Sequence, residues 1–199
     1  TNTDGSANST VSVNTTAGFS IIQGEGTGSS TTYGHGLGVV PKVYIVKLIS
    51  GTGDWYLQTS ALDGGWDYIQ LNATAASASM SATAPTSSVI SNSATNGEDF
   101  IIYAFSEVEG FSKFGSYYGN GSADGPYIYT GFRPAFVITK PHGSTGSWQM
   151  FDVERSAYNE MDERLRADTS GAEDTNLPRD FLSNGFKIRT NNATINGSG

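Results

Sequence analysis

The chain has 199 residues, with 25 Gly, 12% aromatic residues and only 15% charged residues. This composition favours an all-β protein with many tight turns and is a poor match for a helical bundle, which is built from Ala, Leu, Glu and Lys. The net charge of −8 argues against broad affinity for nucleic acid or anionic lipid, because both attract basic surfaces. The lack of cysteine excludes disulfides and thiolate metal sites, and no apolar run approaches the roughly 18 residues that cross a bilayer.

The chain begins with a polar segment. Residues 1–17 are almost all small and polar, so they can bury little surface and are interpreted as a linker or an extended lead-in. Gly18–Ile22 then starts the first repeat as a short strand. Because the chain opens at Thr1, without Met or a signal peptide, we expect it to be a piece of a longer protein.

The first repeat, residues 18–109, contains several short runs of β-branched and aromatic residues bounded by turn residues, which is the pattern of strands. After the first strand these runs are 43–46, 54–58, 68–71, 88–90 and 100–105. The run Phe100–Phe105 is apolar at every position, which predicts a central strand that is covered on both faces. The intervening Ala, Ser and Thr show no apolar stripe of helical period, so we reject a helix there.

A segment of the first repeat occurs a second time in the chain. Pro41, Lys47, Thr52, Gly53 and Trp55 are matched, each at a separation of 93 residues, by Pro134, Lys140, Thr145, Gly146 and Trp148. Five identities at one separation, two of them in the scarce types Pro and Trp, indicate an internal duplication. The sequence therefore predicts an all-β fold of two tandem, homologous antiparallel β-sandwich units, and the equivalent Trp55 and Trp148 are expected to be structural.

The second repeat, residues 110–199, is predicted to contain strands at 127–129, 135–138, 148–151, 181–182 and 186–188. The highly charged segment 152–180 is predicted to be a long surface loop with one helical turn. No run equivalent to Phe100–Phe105 follows before Gly199. Because a missing central strand leaves an unpaired edge, we expect that strand to lie beyond Gly199 or to come from a neighbouring chain.

Several stretches are similar to a repeated β-domain of tailed bacteriophages, particularly marine ones, which occurs in tail fibres and other virion-associated proteins. They are Gly18–Ile22, Gly34–Gly38 with Pro41 and Lys42, Val108–Tyr117, Gly119–Pro126 and Phe132–Ala135. The resemblance covers nearly the whole chain. It implies a non-enzymatic virion protein, a segment of a tail fibre or appendage that acts as a spacer and a surface-attachment module on the tail or particle surface.

The same resemblance implies partners that are other virion proteins or further copies of the chain, with a trimer suggested by analogy with fibres alone. A host cell-surface glycan is a further candidate partner. Two alternative functions stay open: a capsid-surface or cement protein, and a carbohydrate-binding module or depolymerase. Tyr117, Tyr118, Tyr127 and Tyr129 cluster near glycine turns and are the candidates for surface recognition or an interface, although packing is favoured over sugar binding.

Other chemistry is weakly supported by the sequence, so we expect no catalytic residue, no metal site and no cofactor. His35 and His142 are too few for zinc, and His35 is interpreted as a turn residue. Carboxylates that could form a hydrolytic pair are Asp54, Asp63 and Asp67, or Asp162 and Glu163, but solvated positions are favoured. Residues 120–125 lack the closing Glu of a calcium loop, and residues 24–28 lack the Lys of a phosphate-binding loop.

Overall fold

The computed structural model describes residues 1–80 and 83–198. Within these residues the chain forms fifteen strands and one four-residue helix, so the prediction of an all-β fold with antiparallel sheets is confirmed. The chain divides into two compact units: unit 1 comprises Thr1–Gln70 and Ser77–Val108, and unit 2 comprises Leu71–Ala76 and Glu109–Gly199. Residues 71–76, which the sequence assigned to the first repeat, thus belong to unit 2, where Gly146 N donates a hydrogen bond to Thr74 O (2.9 Å).

Unit 1 has two layers of strands. Its strands are β1 (Thr10–Asn14), β2 (Phe19–Glu25), β3 (Thr31–Gly34), β4 (Val43–Leu48), β5 (Tyr56–Thr59), β6 (Asp67–Gln70), β7 (Ala78–Ser79), β8 (Val89–Asn92) and β9 (Asp99–Phe105). One layer is an antiparallel sheet in the order β1-β2-β9-β4-β5-β6-β7, and the other is the pair β3-β8. Apolar side chains of both layers form one core, which includes Ile22, Tyr33, Tyr44, Ile90 and Ile102.

Strand β9 lies at the centre of the larger sheet, where the apolar run Phe100–Phe105 predicted a central strand. It pairs with β2 along one edge and with β4 along the other. Phe100, Ile102 and Ala104 are completely buried in the core, while the alternate side chains of the strand are only half-buried. The period of two along the strand therefore places its best-covered face toward the core.

The polar lead-in is part of unit 1 and is not a linker. Residues 10–14 form β1, which pairs in full register with β2, from Thr10 opposite Gln23 to Asn14 opposite Phe19. Ser9 is 3% exposed, and its hydroxyl donates a hydrogen bond of 2.8 Å to Gly34 O. Of the two interpretations, a linker or an extended lead-in, the extended one describes residues 10–14, because strand pairing uses backbone groups, which a polar segment carries as well as an apolar one.

Unit 2 is also built from antiparallel strands. Its elements are β10 (Tyr127–Tyr129), β11 (Phe136–Thr139), β12 (Gln149–Asp152), β13 (Met161–Arg164), β14 (Asp174–Leu182), β15 (Gly185–Ile188) and α1 (Ala193–Asn196). Four strands form a sheet in the order β10-β15-β14-β13, and β11 pairs with β12. A bridge between Met150 and Leu165 brings β12 beside β13. Val137, Phe151, Met161, Phe181 and Ile188 belong to the shared core.

The prediction of a surface loop with a helical turn over residues 152–180 is wrong, because β13 and most of β14 lie in this segment. Charges inside it pair with each other: Arg164 Nε and Nη2 donate to the two carboxylate oxygens of Asp174, both at 2.8 Å. Met161 and Leu177 meanwhile bury their side chains in the core. A bidentate pair between neighbouring strands satisfies the charges locally, so a charged sequence can form a ladder.

The end of the described chain is a helix instead of a strand. Asn192 caps α1 by accepting a hydrogen bond from Thr194 N at 2.9 Å. Asn196 is completely buried; its side chain accepts from Asn120 N (2.8 Å) and donates to Ser122 O (2.7 Å). These bonds hold the helix against the turn that precedes β10.

Candidate functional site

The four tyrosines singled out in the sequence do not share one environment. Tyr117 is packed against the core of unit 2, where its hydroxyl donates to Ile195 O at 2.8 Å and burial raises its pKa. Tyr118, Tyr127 and Tyr129 are exposed, at 82%, 44% and 65%. Tyr127 and Tyr129 lie on one face of β10, and the Tyr127 hydroxyl donates to Asn184 Oδ1 (2.5 Å). Tyr117 is therefore a core residue, and the other three remain surface candidates.

The carboxylates considered for hydrolysis have structural roles or are separated. Asp63 Oδ1 accepts from Gly65 N (2.7 Å) within its own turn. Asp67 is 4% exposed and lies opposite Thr59, on the sheet face that points away from the core. Asp54 precedes the other end of β5, roughly 15 Å along the strand at its usual rise per residue. Glu163 accepts from the Ser156 hydroxyl (3.0 Å), so it is tied to its own loop.

His35 is a structural residue of the unit 1 core. It is completely buried, its Nδ1 accepts from Leu37 N, and its Nε2 contacts Thr86 O, both at 3.2 Å. Burial lowers the pKa of His35, so the imidazole is neutral. Because Nδ1 accepts a hydrogen bond, Nε2 carries the N–H that donates to Thr86 O. Across residues 1–80 and 83–198, no group of three or more His, Asp and Glu side chains could hold a metal ion.

A cleft of about 410 Å³ opens into unit 1, and the sequence did not predict it. It forms because the two-stranded layer β3-β8 does not cover the inner face of β5 and β6. We call it the β5–β6 cleft. Its lining includes Val46, Leu48, Tyr56, Gln58 and Tyr68 from one face of the larger sheet, together with Asn92 and Glu98.

Two tyrosines stand side by side in this cleft. Tyr56 and Tyr68 lie on the same sheet face because the register pairs Tyr68 with Gln58. Their rings are 5.4 Å apart and nearly perpendicular, at 77°. Tyr56 is 36% exposed, and its pKa is raised by burial and by the nearby Asp54 carboxylate. The edge of one ring thus supports the other ring, which keeps an aromatic face open to solvent.

Both carboxylates of the cleft accept hydrogen bonds from neighbouring residues. Gln70 Nε2 donates to Asp54 Oδ2 (2.5 Å), and Glu98 Oε2 accepts from Thr95 N (3.2 Å). Asn92 Nδ2 is a buried donor without a hydrogen-bond partner among the described residues. The period of two in 54–58 and 67–70 places Tyr56, Gln58, Tyr68 and Gln70 on one face, but the exposure of Tyr56 depends on which described strands cover that face.

The outer edge of β11 is a second candidate site. Within residues 1–80 and 83–198, β11 pairs only with β12. Val153 N donates to Ala135 O (3.0 Å), and because hydrogen-bonded pairs alternate along a ladder, Phe136 and Ile138 point their backbone groups away from β12. The side chains of Phe136 and Ile138 are 54% and 39% exposed. The edge therefore offers both unpaired backbone groups and apolar surface.

Arg179 is a completely buried cation in the core of unit 2. Its guanidinium carbon lies 3.7 Å from the ring centroid of Phe151, and Nη1 donates to Thr139 Oγ1 at 3.3 Å. Nε and Nη2 have no partner among the described residues. Burial lowers the Arg179 pKa to about 10. The charge is thus balanced mainly by an aromatic ring, which is a costly arrangement.

The fold and these sites define a class of protein: an all-β chain of two units, with an aromatic cleft in one and an open strand edge in the other. The chain matches, over residues 1–199, the model of a family described as a domain of unknown function (DUF7483), and it belongs to that family. No curated protein and no solved structure matches the chain. In the described residues, no helix is long and apolar enough to cross a membrane.

Proposed function

We propose that the chain is a non-enzymatic structural protein of a virion, a segment of a bacteriophage tail fibre or similar appendage that acts as a spacer and a surface-attachment module. The similarity of Gly18–Ile22 and Val108–Tyr117 to the repeated phage domain supports the setting. The observation that carries the proposal is the open edge of β11, because a subunit of an assembled fibre needs a surface that pairs with its neighbour.

The two units are proposed to be copies of one ancestral domain. In unit 1, Val43 pairs with Thr59 in the hairpin β4–β5. In unit 2, Phe136 pairs with Asp152 in the hairpin β11–β12, and both residues stand 93 positions later. The same register at the separation seen in the sequence is what a duplication predicts.

The equivalent of the open edge is occupied in unit 1. There β9 pairs with β4 from Val43 opposite Phe105 to Leu48 opposite Phe100. A strand with the sequence of β9 therefore fits beside a hairpin such as β4–β5. We therefore assign the edge of β11 to a strand from a second copy of the chain, an addition that supplies backbone hydrogen bonds and covers Phe136 and Ile138.

The protein composition of purified particles tests whether the chain is part of a virion. We expect the chain to be found on purified virions by mass spectrometry and to be located on the tail or an appendage in a density map. Absence from the particle would refute the virion function. Location on the head would instead favour the alternative, a capsid-surface or cement protein, which shares every feature of the fold.

A single substitution tests the edge. Ile138→Pro removes one outward N–H and leaves the ladder to β12 intact, so the fold is retained and strand addition is blocked. We expect the full chain to form a concentration-dependent oligomer by light scattering, and Ile138→Pro to remain monomeric, while Ile138→Val still associates. A wild-type chain that stays monomeric at all concentrations, or a proline variant that still assembles, would contradict the assignment.

A further inference from the structure

We infer that the β5–β6 cleft of unit 1 binds a neutral saccharide. The inference names a class of ligand for the proposed attachment function, and its biological role rests on that function. Binding of the saccharide can be measured independently of that role. The residues that carry it are Tyr56, Tyr68, Asn92, Asp54 and Glu98. None of them is among the tyrosines that the sequence singled out.

The aliphatic and aromatic side chains of the cleft fit the apolar face of a sugar ring. Val46 and Leu48 line the cleft with aliphatic side chains. The Tyr56 ring is braced by Tyr68 and by the hydroxyl's neighbours Asp54 and Gln70, so it is held in place before any ligand arrives. A rigid, half-exposed tyrosine combines apolar area with a polar tip, the property that suits rings to amphipathic ligands. The volume of about 410 Å³ lies within the range of small-molecule sites.

The unpaired donor requires a ligand that accepts hydrogen bonds. Asn92 lies two residues after Ile90 on β8 and therefore faces the same way, toward the inner face of the larger sheet. Its Nδ2 is buried without a partner among the described residues. A buried amide donor costs free energy until an acceptor reaches it. A sugar hydroxyl supplies that acceptor when the Asn92 side chain turns its Nδ2 toward the cleft that it lines.

The charges of the cleft narrow the ligand class. Among the described residues that line it, Asp54 and Glu98 are the ionisable side chains besides tyrosines, and none is Lys, Arg or His. Anionic sugars would therefore be repelled. An organic cation would be attracted to the carboxylates, but it has no acceptor for Asn92 Nδ2. A neutral polyhydroxylated ring satisfies both requirements.

Saturation-transfer NMR on the full chain provides the direct test. The probes are glucose, galactose, mannose and N-acetylglucosamine, with glucuronic acid, N-acetylneuraminic acid and tetramethylammonium for comparison. We expect transfer to at least one neutral sugar and none to the charged probes. Tyr56→Ala is expected to weaken the affinity about tenfold through loss of the ring face, and Tyr56→Phe to retain it.

Two further variants separate binding from folding. Asn92→Ala removes the unpaired donor and is expected to weaken sugar binding, with the melting temperature unchanged or raised because a buried unsatisfied group is lost. Tyr158→Ala, at an 86% exposed position in unit 2, is the matched control and should bind as the wild type.

The inference is overturned by three results: no transfer to any neutral sugar, transfer that Tyr56→Ala leaves unchanged, or binding of tetramethylammonium or an acidic sugar instead. None of these results affects the association test at Ile138, and failure of that test leaves the sugar measurement intact. The two conclusions can therefore fail separately.

Discussion

The hairpins β4–β5 in unit 1 and β11–β12 in unit 2 pair in the same register, yet their outer edges have different neighbours. In unit 1 the edge is covered by β9, and Val43 is 7% exposed. In unit 2 no described strand covers the edge, and the equivalent Phe136 is 54% exposed. Similar local sequence therefore specifies the hairpin, while burial of the same position is decided by a distant strand.

Proline at the equivalent positions Ile45 and Ile138 should have the largest difference in effect on the two units. Ile49 N donates to Asp99 O, so by alternation Ile45 also points its N–H toward β9, whereas Ile138 points its own to the open edge. We expect Ile45→Pro to lower the free energy of unfolding of unit 1 by about 3 kcal/mol or more, and Ile138→Pro to lower that of unit 2 by less than about 1 kcal/mol.

Hydrogen-exchange mass spectrometry in increasing urea, at a protein concentration that keeps the chain monomeric, reports on each unit. Ile45→Val and Ile138→Val keep both N–H groups and serve as controls, with losses of about 1 kcal/mol or less. Equal losses for the two proline variants would mean that the edge of β11 is already paired.

The cores of the two units differ in charge, and Arg179 tests that difference. Among the described residues, the buried carboxylate of unit 1, Asp67, lies on the sheet face away from the core, whereas Arg179 is completely buried in unit 2 with two unpaired donors. Replacement by an unbranched apolar side chain removes the desolvation cost of the cation. We therefore expect Arg179→Met to raise the free energy of unfolding of unit 2 by about 1–2 kcal/mol.

Urea unfolding measures this gain, and Arg155 provides the control. Arg155 is 20% exposed and pairs with Asp152 (2.7 Å) and Glu173 (3.0 Å), so Arg155→Met should destabilise unit 2 by about 1 kcal/mol or less. A loss of stability in Arg179→Met would show instead that the guanidinium has a partner in solution that offsets its burial.

Alkaline pH should change the stabilities of the two units with opposite signs through two buried groups, Tyr44 and Arg179. Burial raises the Tyr44 pKa to about 12, so the folded state retains a proton that the unfolded state releases, and unit 1 loses stability as pH rises from 10 to 12. The Arg179 pKa is lowered to about 10, so the unfolded state holds the extra proton and Arg179 adds stability to unit 2 over the same interval, against the loss from Tyr117, whose pKa burial raises.

Unit-resolved exchange at a series of alkaline pH values checks both signs. Tyr44→Phe should flatten the fall in unit 1, and Arg179→Met should flatten the rise in unit 2. Parallel curves for the two units would show that neither buried group controls the alkaline response.

The positions of the apolar and β-branched strands could be predicted from the sequence alone. The run 43–46 lies within β4 and the run 100–105 within β9, because side chains of this kind favour an extended, half-buried backbone whatever their partner. The repeated Pro, Lys and Trp positions also marked the hairpin that recurs in the same register. These features are local, and a local pattern is sufficient to find them.

The tertiary structure decided the rest. The polar strand β1 and the charged strand β14 exist because a neighbouring edge or an opposite charge was available, and neither is visible from residues close by in sequence. Tyr117 became a core residue and Tyr56 a cleft residue for the same reason. Exposure depends on which distant strand covers a face, so the candidate site could be located only once the layers were assembled.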